Sequence, residues 1–492
     1  MGSVHQGPVI RKGNELDVAR ADLTRALRRV ARATAGEDAS FAQLEDAALE
    51  AADEAVRDFC EQELQRIEDS FDDELLINGV LFKRSHAPAQ GDYRSLCGPL
   101  HPKRALYRLV GLRNGPTVVP LELTAGLVER ATPALAYSIA LNLGKETSRD
   151  YVESMGGARR HVPSRSTVER IAIAVGTKAK EAAPSIERYL RQSEGVPEGT
   201  LAVSIGLDRT TIPFEEERQE GEPPTTRRKK RTKPYERTPP PRVDVKYRHA
   251  YAGTVSFIDK DGEFVATRKY AATHLEGPDA ILARMMGDLR AAKHRAPEIA
   301  VGLVQDGAPE MWNLTRAALD AEPCVDEYLE AIDRYHLSER LGEVLKILEP
   351  DEAAREALLE QWQDELDLDD ETIDRIEQYI DERAWLYAGN ARSTLLDALT
   401  YLDNNKDRMR YVALRRAGLP VGSGATEGSC KSVIGFRTKR SGQRWPDEGV
   451  SAVLTLRAIH QSDRLPGFWK HLARRYIARV DKVIRQDERV AA

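Results

Sequence analysis

Three acidic residues, far apart in the chain, stand where chemistry can be done: Asp208, Asp306 and Glu427. Asp208 closes the apolar run Leu201-Ala202-Val203-Ser204-Ile205, which reads as a buried strand. Asp306 closes a second such run, Ile299 to Val304. In open α/β sheets the C-terminal ends of strands are where sites form. Glu427 comes just after the small-residue turn Gly422-Ser423-Gly424 and lies on a helix expected to start around Thr426. Three carboxylates brought together from distant segments make an all-oxygen site, which suits Mg²⁺ or Mn²⁺ rather than zinc. Two such ions activate a nucleophile on one side of a phosphodiester and stabilise the leaving oxygen on the other. Positioning and charge then supply most of the catalysis, and the protein needs no general base. Taken singly, each acid also reads as a turn former or helix cap. His336, just after a third expected strand (Tyr328 to Ile332), has two readings: contact with the scissile phosphate or proton transfer, or a structural histidine.

Cations follow the third acid. Lys431 lies four residues after Glu427, so on a helix the two share a face. Arg437, Lys439, Arg440 and Arg444 come next, with Trp445 close behind. This stretch reads as a DNA-phosphate surface with an aromatic ring to stack on an unpaired base, or as a solvated face beside a core Trp. The run Arg227-Arg228-Lys229-Lys230-Arg231, inside a Pro-rich polar segment over 215–241, reads as a solvated loop, a phosphate contact, or both.

Elements must bring these residues together. From 15 to about 76 the spacing of Phe41, Leu44, Ala48, Ala52, Ala55, Phe59 and Ile67 predicts helix, as an antiparallel pair or a dimerising arm. Short strands are expected over 80–123 around Asn114-Gly115-Pro116. Helices resume over 124–183, with Thr132-Pro133 as a start signal. Two short helices around Gly156-Gly157 resemble a helix-turn-helix that would expose Arg165, Thr167 and Arg170 to bases. A plain helical support is the alternative. Asp259-Lys260-Asp261-Gly262 predicts a hairpin inside Val243 to Tyr270, and a helix fits 277–294. Helices dominate 337–416. Others fit 447–462, with Asp447 as N-cap, and 466–486.

The fold expected is α+β and multidomain. It comprises a helical arm over 1–80 and a strand region with a helix-turn-helix-like DNA-binding domain over 81–195. The first part of an α/β catalytic core covers 196–345, a helical insertion 346–417, and the last part of the core 418–492.

The 492 residues are 41% hydrophobic and 31% charged, and carry a net charge of −6, which argues against a simple basic coat for DNA. The charge is segregated: acids crowd 41–76 and 351–383, cations 227–233 and 431–444. Cys60, Cys97, Cys324 and Cys430 match neither zinc-ligand spacing nor a disulfide framework. With no apolar signal segment and no membrane-length apolar run, a cytoplasmic protein is expected.

With these residues in place, the chain resembles the insertion-sequence transposases of the ISKra group over roughly 93–470. The resemblance is carried by Gly206-Leu207-Asp208-Arg209-Thr210-Thr211, Gln305-Asp306-Gly307-Ala308-Pro309 and Tyr335-His336-Leu337-Ser338-Glu339. A long block adds to it, from Val421-Gly422-Ser423-Gly424 through Glu427, Lys431 and Lys439-Arg440-Ser441-Gly442 to Arg444-Trp445 and Leu454-Thr455-Leu456-Arg457-Ala458. It implies a ribonuclease H-like core with a helical insertion between the second Asp and the Glu. It implies Asp208, Asp306 and Glu427 as metal-holding acids, with His336 matching a family histidine. It further implies a bacterial, nucleoid-associated enzyme that hydrolyses DNA at element ends and joins the freed 3′ hydroxyl to target DNA. Its partners would be double-stranded terminal repeats and target DNA, bound by a homodimer or larger assembly and no membrane. Arg209 departs from the Gly that many relatives of the wider class carry after the first Asp, and residues 1–80 lie outside the similarity. A domesticated DNA-binding protein without catalysis and a nuclease of the same fold remain as alternatives.

Overall fold

A computed structural model describes residues 13–36, 38–158, 160–218, 243–306 and 308–483. The basic run at 227–233, its Pro-rich flanks and Gly307 lie outside the described residues. The chain is mixed α/β and divides into two compact units. Among the described residues no helix is long and apolar enough to cross a membrane.

The first unit draws on Met1–Ser138, Arg149–Ile171 and Ala473–Ala492. Helices Gly13–Ala35 and Phe41–Asp69 pack against each other. The second starts at a capping box, in which Ser40 and Gln43 satisfy each other's backbone N–H groups. The expected helical arm over 1–80 stops at Asp69. Glu74–Ile77 and Val80–Arg84 form a hairpin whose turn residues, Asn78 and Gly79, both take positive φ. The expected helix over 466–486 is also shorter. It ends at Ala473, and Val480–Lys482 pairs antiparallel with Glu74–Ile77. The expected pair of short helices is one short helix, Ser148–Gly157, followed by the 29-residue helix Arg165–Ser193.

The second unit, Ile139–Ser148 and Ala172–Leu472, is built on one five-stranded sheet. Its strands are β1 (Ala202–Glu217), β2 (Val243–Ile258), β3 (Phe264–Thr273), β4 (Ala300–Gln305) and β5 (Leu329–Ile332), in the order β3-β2-β1-β4-β5. The first three form an antiparallel meander, with the β2–β3 turn at Asp259–Gly262 as the sequence predicts. β4 runs parallel to β1 and β5 parallel to β4, joined by helix α2 (Pro309–Asp320) after helix α1 (Asp279–Arg295) has returned the chain from β3. One correction matters for the site. β1 does not end at Asp208 but continues to Glu217, because β2 pairs with it along its whole length.

After β5 come helix α3 (Arg334–Leu348) and the helices Glu352–Leu368, Thr372–Ala384 and Gly389–Asn405. Their buried Trp362, Ile373, Ile380 and Leu395 join one core with β-strand residues such as Ile205 and Leu303. The chain returns through helix α4 (Gly424–Ser429), a π-helical stretch (Cys430–Gly435) and helix α5 (Asp447–Gln461), whose N-cap is Pro446 rather than Asp447.

The sheet is covered on both faces. A Cβ on Gly253 of β2 would lie 2.3 Å from the Met285 sulfur of α1. The next residue, Thr254, points the other way and meets Thr426 of α4, hydroxyl to hydroxyl at 2.7 Å. So α1 and α4 lie on opposite faces.

Candidate carboxylate site

The register of β1 and β4 sets the first two acids. Ala300 pairs with Ala202 and Leu303 with Ile205. Carried three residues further, the same register sets Asp306 level with Asp208, on strands whose spacing is about 4.8 Å where they pair. Gln305 in turn pairs with Ile332, which sets Asp333 level with Asp306 on the next strand. Asp208 on β1, Asp306 just past β4 and Asp333 just past β5 thus fall at the same level of the sheet when the register is extended.

The third acid arrives on a segment laid along β1. Gly206, Asp208 and Thr210 are at alternate positions and share one face of the strand. They meet Thr426, Cys430 and Lys439 in turn. A Cβ at Gly206 would lie 2.0 Å from the Thr426 hydroxyl oxygen, so glycine is what admits α4 to the sheet. The Cys430 thiol donates to the Asp208 carboxylate, and the Lys439 ammonium donates to the Thr210 hydroxyl. Further along, the Glu215 amide donates to the Trp445 carbonyl at 2.8 Å. Glu427 lies between Thr426 and Cys430 and ion-pairs with Lys431 at 2.6 Å.

The π-helical stretch makes this alignment work. Nine residues of regular α-helix turn through about 900°, which would put Lys439 on the side opposite Cys430. A wider turn changes the phase, and π-turns are found mostly as such local insertions. The altered hydrogen bonding frees carbonyls, and buried Arg457 collects them. Its guanidinium donates to Val433 O (2.8 Å) and Ser432 O, and to Gly144 O at 3.0 Å. Burial, followed by the nearby Arg437 and Arg440, pushes the Arg457 pKa down to about 10, so it remains charged at neutral pH.

Asp333 is the clamp at the front of the site. One carboxylate oxygen accepts from the Tyr335 and His336 amides, at 2.6 and 3.3 Å, and caps α3. The other accepts from the Ser423 amide and hydroxyl, which ties the turn before α4 to the end of β5. Asp306 accepts from the Ala308 amide at 3.1 Å, and its carbonyl accepts from the Trp312 indole.

Burial raises the Asp208 pKa. The Cys430 thiol and the Arg209 amide lower it, and the charges of Asp306 and Glu427 raise it again, for a net shift upward. Asp208 therefore feels both other acids. Among the described residues, no three His, Cys, Asp or Glu side chains are gathered closely enough to grip a metal ion as they stand. The side chains are engaged elsewhere: Asp208 with Cys430, Asp306 with Ala308, Glu427 with Lys431. The donor chemistry nonetheless fits a hard divalent cation, since three carboxylates repel one another around a half-buried position. The raised pKa carries a sign. A neutral Asp208 favours the fold, so its contribution is full below the unfolded carboxylate value and is lost as pH rises through the folded one. Asp208→Asn is thus expected to raise the Tm of the metal-free protein at pH ~7, with the difference closing in acid, and to lose any stabilisation by Mn²⁺. Thermal melts across pH, with and without Mn²⁺, check both.

The remaining expected residues divide. Lys431, Lys439, Arg440 and Arg444 are exposed near the end of this segment, as a phosphate surface would need. Arg437 is not: it is 6% exposed, and its guanidinium lies over the Trp445 ring at 4.7 Å. Trp445 packs against the cluster of Ile212, Phe214, Val433 and Leu454, so its ring serves the core rather than stacking on a base. His336 pairs with Glu339 at 3.4 Å, not with any of the three acids. In the first unit Thr167 is buried and hydrogen-bonds to the Ser164 hydroxyl, contrary to the expected exposure. Arg165 and Arg170 are exposed but paired with Glu169 and Glu129. Sequence reasoning missed Asp333 and Arg457 as positioning residues. Arg457 stood inside a quoted motif and Asp333 directly after the expected third strand, and the signal was a charged residue at an otherwise apolar strand end or helix face.

No family model matches this chain, and no curated protein or solved structure matches it.

Proposed function

We propose that the protein is an Asp-Asp-Glu transposase that hydrolyses DNA at the ends of an insertion sequence and transfers the freed strand to target DNA. The observation that supports this reading is that Asp208 on β1 lies within electrostatic reach of both Asp306, just past β4, and Glu427 of α4. The mixed sheet, with acids on or just past neighbouring parallel strands and a helical insertion before the third, supports a ribonuclease H-like core. Asp208, Asp306 and Glu427 would hold two Mg²⁺ or Mn²⁺ ions. When bound, the ions supply charge neutralisation at the scissile phosphate and polarise the attacking oxygen.

The chain's own residues do the rest. Lys431, which ion-pairs with Glu427 at 2.6 Å, would exchange that partner for a DNA phosphate. Lys439, Arg440 and Arg444 hold the flanking backbone. Asp333 and Arg457 fix the turn before α4 and the π-helical stretch after it, so the acids would reorient by side-chain rotation alone. Two element ends must be held together, so we propose a dimer or larger assembly, with the exposed apolar residues Leu23, Phe41, Leu49 and Phe59 of the helix pair as contact surface for a second copy.

The test is incubation with linear DNA carrying the gene's own flanking sequences, with Mg²⁺, Mn²⁺ or chelator, and cleavage mapped to the nucleotide. Metal-dependent cleavage at defined ends is expected. Cleavage without regard to the ends would favour a nuclease, and binding without cleavage a domesticated DNA-binding protein.

A further inference from the structure

A second charged feature lies on the other face of the sheet. α1 covers the face opposite α4, and its outer side, with the residues Arg188 to Gln192 of the helix Arg165–Ser193, borders an open groove of about 770 Å³. Arg188, Arg191, Arg290, Lys293, His294 and Arg295 line it, with Asp326 as the one acid of the lining among the described residues.

Some of these cations have internal work. Lys293 donates to the Ile299 carbonyl at 3.2 Å, and Arg295 to the Arg191 carbonyl at 2.7 Å. Arg290 makes a two-pronged pair with Glu322, both contacts at 2.7 Å, yet its side chain stays 61% exposed. Arg188 and His294 are exposed and, among the described residues, make no hydrogen bond or ion pair. Placing the partnerless Arg188 guanidinium among fixed like charges is unfavourable, and an arriving anion relieves the repulsion. Gly287 to Arg295 of α1 spans about 12 Å. One strand of a duplex carries three to four phosphates over that length, at ~3.4 Å each. An open, elongated cationic wall suits a polymer backbone better than a small anion, which would need enclosure.

We propose that this groove binds the phosphate backbone of a DNA duplex, at a site separate from the carboxylates. The proposal takes duplex DNA as the polyanion from the functional reading above, but it does not need the carboxylates to be catalytic. Because the groove and the acids lie on opposite sides of the sheet, the duplex held here is not the one being cut at that moment. The groove would hold flanking or target DNA.

The test compares wild type, Arg188→Glu/His294→Glu and Lys260→Glu in binding a fluorescent duplex of about 30 base pairs, over salt from about 0.05 to 0.3 M. Neither Arg188 nor His294 has an internal partner to lose, and circular dichroism verifies the fold. The double variant is expected to lose about tenfold or more in affinity and to show a shallower salt dependence. Lys260→Glu, on the β2–β3 turn and outside the lining of the groove, should bind as wild type does. Unchanged binding by the double variant overturns the proposal, as does loss of heparin binding with duplex binding intact. A wild type that cleaves DNA beside a double variant that binds normally would sink the groove alone. Loss of binding in the double variant supports the groove even if no cleavage is ever seen.

Discussion

Glu427→Gln is expected to abolish the proposed metal-dependent strand cleavage, by about 10²–10³-fold or more, while the melting temperature stays close to wild type. Glutamine keeps the shape of the side chain and removes its charge. The position of α4 does not rest on that charge, because Thr426 is fixed by Thr254 and Ser423 by Asp333. What the substitution breaks is the solvent-screened pair with exposed Lys431, and such i, i+4 pairs add little to stability. Loss of activity with an unchanged melt would therefore be a loss of chemistry. The measurement is initial cleavage rate against Mn²⁺ concentration, beside a melt of each protein. A variant that cuts at the wild-type rate would remove Glu427 from the site and end the three-carboxylate reading.

Asp288→Asn costs about 3–5 kcal/mol of stability in the second unit, the largest stability effect expected of a single conservative change. Asp288 is fully buried in α1. It accepts from Arg191 (2.9 Å), Arg268 (2.9 Å), Arg464 (3.1 Å) and the Tyr270 hydroxyl. Burial alone would raise its pKa, but Arg464, Arg268 and Arg191 outweigh it and hold the carboxyl below the usual range. Asparagine leaves three buried or nearly buried guanidinium groups with too little negative charge, Glu194 and Glu187 being shared among them. A depressed pKa gives stability that is present above the unfolded carboxylate value and lost as pH falls through the folded one. The gap between wild type and variant should thus be full at neutral pH and narrow in acid. Denaturant titration at two pH values checks this, and an equal gap at both would mean that packing, not charge, is at stake.

The parts of the fold legible in sequence were those written in local chemistry. Asp259-Lys260-Asp261-Gly262 has the residues a hairpin turn demands, and Gly262 takes φ +81°. The apolar runs before Asp208 and Asp306 read as strands because both faces of the sheet are covered, so alternation is suppressed. The continuation of β1 was hidden. Arg209 to Glu217 is polar and contains Pro213, which argues against a strand, and only the long antiparallel partner β2 makes it one. Arg437 and Trp445 looked like a DNA surface because position in sequence does not distinguish a cation stacked on a half-buried ring from one facing solvent. Thr167 was misread for the same reason. The π-turn left no readable trace, since one residue's change in helical phase has no compositional mark.

That wide turn has a consequence for how the chain can vary. Between Cys430 and Lys439 the number of residues is itself a structural quantity, because the contacts of both with β1 depend on how far the helix has rotated between them. A side chain on the exposed side of this stretch, such as Lys431, can change with little effect on that rotation. Removing or adding a single residue would swing everything downstream by about 100°. The stretch is therefore tolerant in spelling and intolerant in length, the opposite of a surface loop.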